Sequence, residues 1–178
     1  MLTITHQYIL PFGKGQRFLG HGGVSGVLLG GWQLNGLYRF STGMPFTPTS
    51  DATSCACTNN TQFAEVVAPL HYLGGIGPGQ PWFSTSSFAP GPANQFGNAG
   101  RDSIRGPHIS NYDFSVFRKF DVTERFKLEY RAEFYNFTNS PHFALPNAVV
   151  TSGTFGIISS TLAGYGNRRV QMALRLTF

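Results

Sequence analysis

The sequence predicts an all-β protein: a portion of an antiparallel transmembrane β-barrel, with about five C-terminal strands and long extracellular loops. Three observations predict this class. Strand-length segments alternate apolar and polar residues, and the connections between them alternate between short and long. Charged residues make up only 12% of the chain and aromatic residues 15%, whereas globular proteins carry roughly 25% charged residues. Such a composition suits a surface that meets something other than water on one side.

Five segments show the period of two that is typical of strands, because successive side chains of a strand point to opposite faces. The fourth segment is the clearest. Its apolar residues at even positions from Phe126 to Phe134 alternate with charged residues at the four odd positions between them. About ten residues per strand, apolar outside and polar inside, is the pattern that a transmembrane β-barrel needs. We predict strands near residues 2–10, 32–46, 110–120, 125–137 and 168–178.

The charged residues on the polar sides of these strands would line the lumen of the barrel. They would contact a plug or a polar solute, or they would form cross-strand ion pairs that stabilise the wall, which is the favoured interpretation. The candidates for the lumen are Arg39, Asp113, Lys127, Glu129, Arg131, Glu133, Arg169 and Arg175.

The last strand alternates and ends on an aromatic carboxyl terminus. Such a strand resembles the assembly signal of the outer-membrane insertion machinery, which would add it to an open sheet edge. An ordinary last strand is the alternative interpretation, and both are compatible. The signal would be carried by Val170, Met172, Leu174, Leu176 and Phe178.

The lengths of the connections predict an orientation. Residues 121–125 form a short turn, whereas residues 47–108, with seven Pro and eight Gly, and residues 139–167 form long loops. Outer-membrane barrels place short turns on the periplasmic side and long loops outside. We therefore expect the outer membrane of a Gram-negative cell, with the C-terminus in the periplasm. The connection 11–31 is longer than a usual periplasmic turn and is expected to hold one helical turn around Val24–Leu29.

Several other classes of function find no support in the sequence. The net charge is +5, but the 13 Lys and Arg are dispersed, so the clustered basic patch of a nucleic-acid-binding protein is missing. No segment is apolar enough for a spanning helix. The sequence contains neither a metal-binding spacing nor a Gly-x-Ser-x-Gly elbow, and we expect no enzyme, no cofactor and no metal. Cys55 and Cys57 favour a local disulfide over free thiols or a zinc site.

Short motifs along nearly the whole chain resemble the C-terminal end of the Oar-like TonB-dependent receptors. Taken together they are specific, although each alone is weak. The matching segments are Leu10–Leu19, Gly30–Tyr38, Ser41–Phe46, Gly97–Arg101, Arg105–Pro107, Asp113–Phe143 and Arg168–Phe178.

This resemblance implies a 22-stranded barrel that holds a plug and imports a bulky ligand with energy from TonB. The chain has only five of those strands and lacks a plug and a signal peptide, so we expect a fragment that functions only within a complete barrel. The implied partners are outer-membrane lipid, the insertion machinery, the rest of the receptor (plug and missing strands) and, through it, TonB. The alternatives are a structural or adhesive surface β protein and a non-functional truncated remnant.

Overall fold

The structure is a computed structural model that describes residues 1–13, 15–18, 24–50 and 62–178. The chain divides into two compact units. The first, which we call the sheet unit, comprises Met1–Phe40, Ser110–Ser140 and Gly166–Phe178. The second, which we call the loop unit, comprises Ser41–Ile109 and Pro141–Tyr165. Cys55 and Cys57 lie outside the described residues, so the expected disulfide stays a prediction.

The described residues are mainly strands joined by irregular segments. In chain order the elements are β1 (Leu2–Ile9), α1 (Val24–Leu29), β2 (Trp32–Ser41), β3 (Pro45–Phe46), β4 (Glu65–Val66), a 3-10 helix (Thr85–Ser87), β5 (Phe88–Ala89), β6 (Ile104–Arg105), β7 (Ile109–Asp121), β8 (Lys127–Tyr135) and β9 (Arg169–Thr177).

The five long strands form one antiparallel sheet in the order β1-β2-β7-β8-β9, so each long strand pairs with the next long strand of the chain. This confirms the predicted all-β fold class. Four of the five predicted strands agree with the structure to within two residues at each end, which is the usual uncertainty of strand ends. β1 and β9 form the two edges of the sheet, and every residue in them is exposed.

The second strand is shorter than the sequence predicts. We expected a strand over 32–46, but β2 ends at Ser41, and residues 45–46 form β3, which pairs with β6 instead. The backbone at Gly43 lies so close to the Gly106 carbonyl that a side chain at position 43 would collide with it. The alternating pattern continues through this point, but the strand does not, because the glycine permits a close backbone approach.

The connection between β7 and β8 is as short as the sequence predicts. β7 and β8 are joined by a tight turn in which the Val122 and Thr123 amides both donate to the Phe126 carbonyl, at 3.0 and 3.2 Å. The expected helical turn is present as α1. None of the helices in the described part of the chain has the length and apolar character that crossing a membrane requires.

The loop unit has a hydrophobic core of its own, which the sequence analysis did not predict. Phe83 is fully buried at its centre, and the ring centroids of Phe46, Phe88 and Phe155 lie 6.1, 5.7 and 5.3 Å from its own. The two long loops are joined by backbone hydrogen bonds, such as the one that the Thr49 amide donates to the Ala148 carbonyl at 2.8 Å. The long loops are therefore one packed body.

Replacing Phe83 with alanine should destabilise the loop unit by about 3–5 kcal/mol, since it leaves a cavity among three aromatic rings. The measurement is a denaturant titration of the detergent-solubilised chain, followed by Trp82 fluorescence in a Trp32→Phe background. The matched control is Phe96→Ala, because Phe96 is 61% exposed and should change the free energy of unfolding little. Equal effects of the two substitutions would contradict a core centred on Phe83.

Candidate functional site: the two faces of the sheet

The register of the sheet separates its side chains into two faces. Residues that lie opposite each other on neighbouring strands are both even-numbered or both odd-numbered. For example, Phe114 lies opposite Phe134, and Tyr130 lies opposite Leu174. Directly opposed side chains lie on the same face of a sheet. Even-numbered residues of the five long strands therefore form one face, which we call the apolar face. Odd-numbered residues form the other, which we call the polar face.

All eight residues predicted for the lumen lie on the polar face, because all have odd numbers and belong to the long strands. The structure brings five of them into ion pairs. An Arg39 nitrogen lies 3.7 Å from an Asp113 oxygen. Arg131 contacts two carboxylates, Glu129 at 3.1 Å and Glu133 at 3.7 Å. These pairs are partly exposed, so each contributes at most about 1 kcal/mol to stability.

The other three candidates are not paired in this way. Among the described residues, no carboxylate lies within 4.0 Å of Lys127, Arg169 or Arg175. Lys127 lies opposite Asp121 on one side and Thr177 on the other. The Arg169 guanidinium lies 5.7 Å from the centre of the Tyr135 ring. The polar face thus has an inner region of paired charges and a cationic edge along β9.

Two polar-face residues that the sequence analysis did not single out take part in this network. Lys119 lies 3.9 Å from Glu129, and the Tyr135 hydroxyl donates to Glu133 at 3.2 Å. Both are odd-numbered residues of long strands, so the same alternation would have found them. They are hard to recognise in the sequence because Tyr135 is aromatic and because Phe117 and Arg118 interrupt the alternation just before Lys119.

A hollow of about 290 Å³ opens on the polar face between β1, β2, β7 and β8. Its lining carries an ion pair, hydroxyls, a carboxylate and an amide, so it would accept a polar group. The side-chain amide oxygen (Oδ1) of Asn35 is buried and has no hydrogen-bond partner among the described residues. The polar residues that line it are Thr5, Asn35, Arg39, Asp113, Ser115, Glu133 and Tyr135.

Asp113 links the polar face to the segment that follows β8. One of its oxygens accepts from the Asn111 side chain and from the Asn136 amide, both at 2.9 Å. Asn136 is only 5% exposed and adopts a φ of 51°. Its side chain donates to the Ser140 and Gly166 carbonyls at 3.0 and 3.2 Å and accepts from the Ser140 amide at 2.9 Å. Asn136 therefore holds together three strand ends of the sheet unit.

The apolar face also carries polar contacts. The Ser110 hydroxyl on β7 donates to the Tyr38 hydroxyl on β2 at 3.2 Å. His6 on β1 lies across Gly36 on β2, and its ring nitrogen is 3.2 Å from the Tyr112 hydroxyl on β7. Arg118 donates to the Leu28 carbonyl at the end of α1, and its guanidinium lies 4.2 Å from the centre of the Phe120 ring. His6 and Arg118 therefore each contact a neighbouring polar group.

The predicted assembly-signal residues are strongly exposed apolar residues at one edge of the sheet. They are the apolar-face residues of β9 together with the terminal phenylalanine, and their exposed fractions range from 51% to 91%. The structure places them in a row along an edge strand, which tests neither the signal nor its recognition. The residues are Val170, Met172, Leu174, Leu176 and Phe178.

Comparison with known proteins decides the family. The family described as outer membrane beta barrel domain matches residues 1–171. The chain belongs to this family. It is therefore an outer-membrane β-barrel protein, which fits the five-stranded antiparallel sheet with one apolar and one polar face. No curated protein and no solved structure matches the chain.

The barrel domain shows no arrangement of metal ligands in its described part, where no three His, Cys, Asp or Glu side chains lie together as a metal site would require. Its notable polar groups are instead the ion pairs of the polar face and the Asn136 network. These side chains present charges and hydrogen-bonding groups on one face of the sheet.

Replacing Asn136 with alanine should expose the amides of residues 136–140 and 166–168 to solvent exchange. Three side-chain hydrogen bonds are lost, and buried partners are left unsatisfied, at a total cost of about 2–4 kcal/mol. Hydrogen–deuterium exchange of the detergent-solubilised chain measures this.

Asn94→Ala is the matched control, since Asn94 also has a positive φ (60°) but is exposed. It imposes the same backbone strain, about 1 kcal/mol, without removing a buried network. If both variants raised exchange only near the substitution, Asn136 would not connect the strand ends.

Proposed function

We propose that this chain is the C-terminal part of the barrel wall of an Oar-like TonB-dependent receptor. It would contribute to the uptake of a bulky ligand only within a complete barrel that holds a plug. The family membership supports the barrel. The receptor type is supported by the motifs along the chain, of which Asp113–Phe143 is the longest. The observation that carries the proposal is the exposure of the apolar face.

Burial in the two units supports contact between the apolar face and lipid. Of nine buried hydrophobic residues in the described part of the chain, eight belong to the loop unit and only Ala132 to the sheet unit. Phe114 and Tyr130 are half-buried and Leu174 is 69% exposed. Exposing such a face to water costs roughly 25 cal/mol for each Å² of apolar area. Hydrocarbon removes that cost, and the hydrated polar face then lines the lumen.

The backbone of the two edge strands supports the proposal that further strands complete the barrel. Within the described residues, β1 and β9 each pair with one neighbour only. In hydrocarbon every backbone donor and acceptor needs a partner, so only closed barrels and helices span the bilayer. The missing strands would supply those partners, and the plug would face the polar residues of the wall. Through the plug the wall would be coupled to TonB.

The orientation and the assembly signal are part of the same proposal. The short turn between β7 and β8 would lie in the periplasm and the long connections 47–108 and 139–167 outside the cell, and the C-terminus would then lie in the periplasm. The exposed apolar row that ends at Phe178 would be read by the insertion machinery as a strand to be added to a sheet edge. The proposed role involves neither catalysis nor a cofactor.

Labels at neighbouring positions should report opposite surroundings if this proposal holds. In the complete receptor reconstituted into bilayers, we expect a fluorophore at Leu174→Cys or Val116→Cys to be quenched by spin-labelled lipid. One at Ala173→Cys or Ser115→Cys should be quenched by aqueous iodide. Each variant also carries Cys55→Ser and Cys57→Ser, so that the fluorophore attaches to one cysteine of the chain.

The paired positions are matched controls, because each pair occupies adjacent residues on opposite faces of one strand. Equal lipid quenching at both members of a pair would show that the apolar face does not contact acyl chains.

An adhesive or structural surface protein is the second candidate. The loop unit favours it, because its core makes it a stable body whose surface carries exposed apolar side chains. Val67, Tyr72, Leu73 and Phe96 are 52–61% exposed, and such side chains are used in contacts between proteins.

The DNA upstream of the Met1 codon should distinguish transport from adhesion. We expect an open reading frame that continues upstream and encodes a plug and further strands, since transport requires them. Sequencing that stretch is the measurement. A stop codon in frame directly upstream, followed by a promoter for the chain alone, would favour the adhesive protein or a remnant.

A further inference from the structure

The free edge of β9 is cationic on the polar face. β9 carries Arg169 and Arg175 and no acidic residue. Its inner edge pairs with β8, while its outer edge has no partner among the described residues. We propose that this edge binds a strand whose polar-face side chains include two carboxylates, placed opposite Arg169 and Arg175. The proposal rests on the proposed function, since it specifies the neighbouring strand of the complete barrel.

The alternation of charge across the sheet supports this proposal. Lys119 on β7 lies opposite Glu129 on β8, and Glu129 lies opposite Arg175 on β9. Opposite charges at facing positions stabilise a sheet, and like charges destabilise it. Glu129 already lies within 4.0 Å of both Lys119 and Arg131. A carboxylate that pairs with Arg175 would therefore come from a strand on the outer edge of β9.

A second row of the polar face ends in the same way. Arg39 pairs with Asp113, the Tyr135 hydroxyl is committed to Glu133, and Arg169 lies beside the Tyr135 ring with no carboxylate within 4.0 Å in the described part of the chain. In each row the inner charged residues form ion pairs with one another, and one arginine remains at the edge of the sheet. A cation in this position favours an acidic partner.

The opposite edge of this sheet does not provide that partner. β1 has no charged residue, and its polar-face side chains include Thr3, Thr5 and Gln7. Pairing β9 with the β1 strand of a second copy would leave both arginines facing neutral groups. Pairing two β9 strands would bring cations together. The chemistry therefore points to a different strand.

The spacing of the arginines defines that strand further. Arg169 and Arg175 are six residues apart on one face, or roughly 20 Å at the rise of a strand. An antiparallel partner would present carboxylates at positions i and i+6, with apolar side chains between them on the other face. Neutral polar residues suffice opposite Gln171 and Ala173.

A pair of synthetic peptides tests this proposal on the full chain in detergent micelles. Both have nine residues with leucine at odd positions and threonine at positions 4 and 6. One has glutamate and the other glutamine at positions 2 and 8. We expect the glutamate peptide to bind about 5-fold more tightly, from two cross-strand ion pairs. This preference should shrink at high salt, since the groups are hydrated.

Variants separate the edge from the rest of the polar face. The double variant Arg169→Gln/Arg175→Gln should bind both peptides equally. Lys127→Gln, which removes a polar-face cation on β8 rather than β9, should keep the 5-fold preference. Equal binding of the two peptides to the unmodified chain, or binding of neither, would overturn the proposal, as would a preference that survives the double substitution.

Two further results would separate this proposal from its competitors. Self-association of the chain that the double substitution strengthens would assign the edge to a second copy and overturn the proposal. Lipid quenching at Leu174→Cys does not depend on the arginines. A lost peptide preference with intact quenching would therefore reject the acidic strand and leave the proposed barrel wall unaffected.

Discussion

The cross-strand register of the long strands is the constraint on which the rest of the structure depends. A slip of one residue would move every side chain to the opposite face, placing Glu129 and Arg131 among apolar residues. The polar network near the end of β8 opposes such a slip. Asp113 on β7 accepts from the amide of Asn136, and the Phe137 amide donates to the Tyr112 carbonyl at 2.7 Å. The separation of the faces, and so the character of the barrel wall, follows from these bonds.

Phe117 and Arg118 in β7 depart from the division between the faces, and each is compensated locally. Phe117 lies on the polar face, where the Arg131 guanidinium is 5.2 Å from its ring centre. Arg118 lies on the apolar face, is 7% exposed, and donates to the Leu28 carbonyl, which also accepts from the Trp32 indole at 3.0 Å. Rings on both sides of the wall thus accept arginines, as cation–π contacts allow. The exceptions retain the register and use the aromatic side chains that the composition supplies.

The predictability of this chain differs between its two units for a physical reason. In the sheet unit, even-numbered and odd-numbered side chains lie on opposite faces. The alternation of apolar and polar residues therefore predicts both the strands and the charged residues of the polar face. In the loop unit Phe46, Phe83 and Phe155 meet from positions far apart, and no local period marks them. The Asn136 network was missed for the same reason, since its partners Asp113 and Gly166 are distant in sequence. Alternation also extended the second strand past Gly43, because only the close backbone approach ends it.

The two units differ in how they bury their apolar side chains. The loop unit contains eight of the nine buried hydrophobic residues in the described part of the chain, and several of them pack around Phe83, as in a hydrophobic core that folds in water. Among its described residues, the sheet unit buries only Ala132 of its hydrophobic side chains and leaves Met172 and Leu174 more than 60% exposed. Its ion pairs do not offset that exposure, since partly exposed pairs contribute about 0–1 kcal/mol each. A sheet of this kind gains its stability from what covers its apolar face and its edges. Its polar charges determine instead which neighbours fit, which is a matter of specificity rather than of stability.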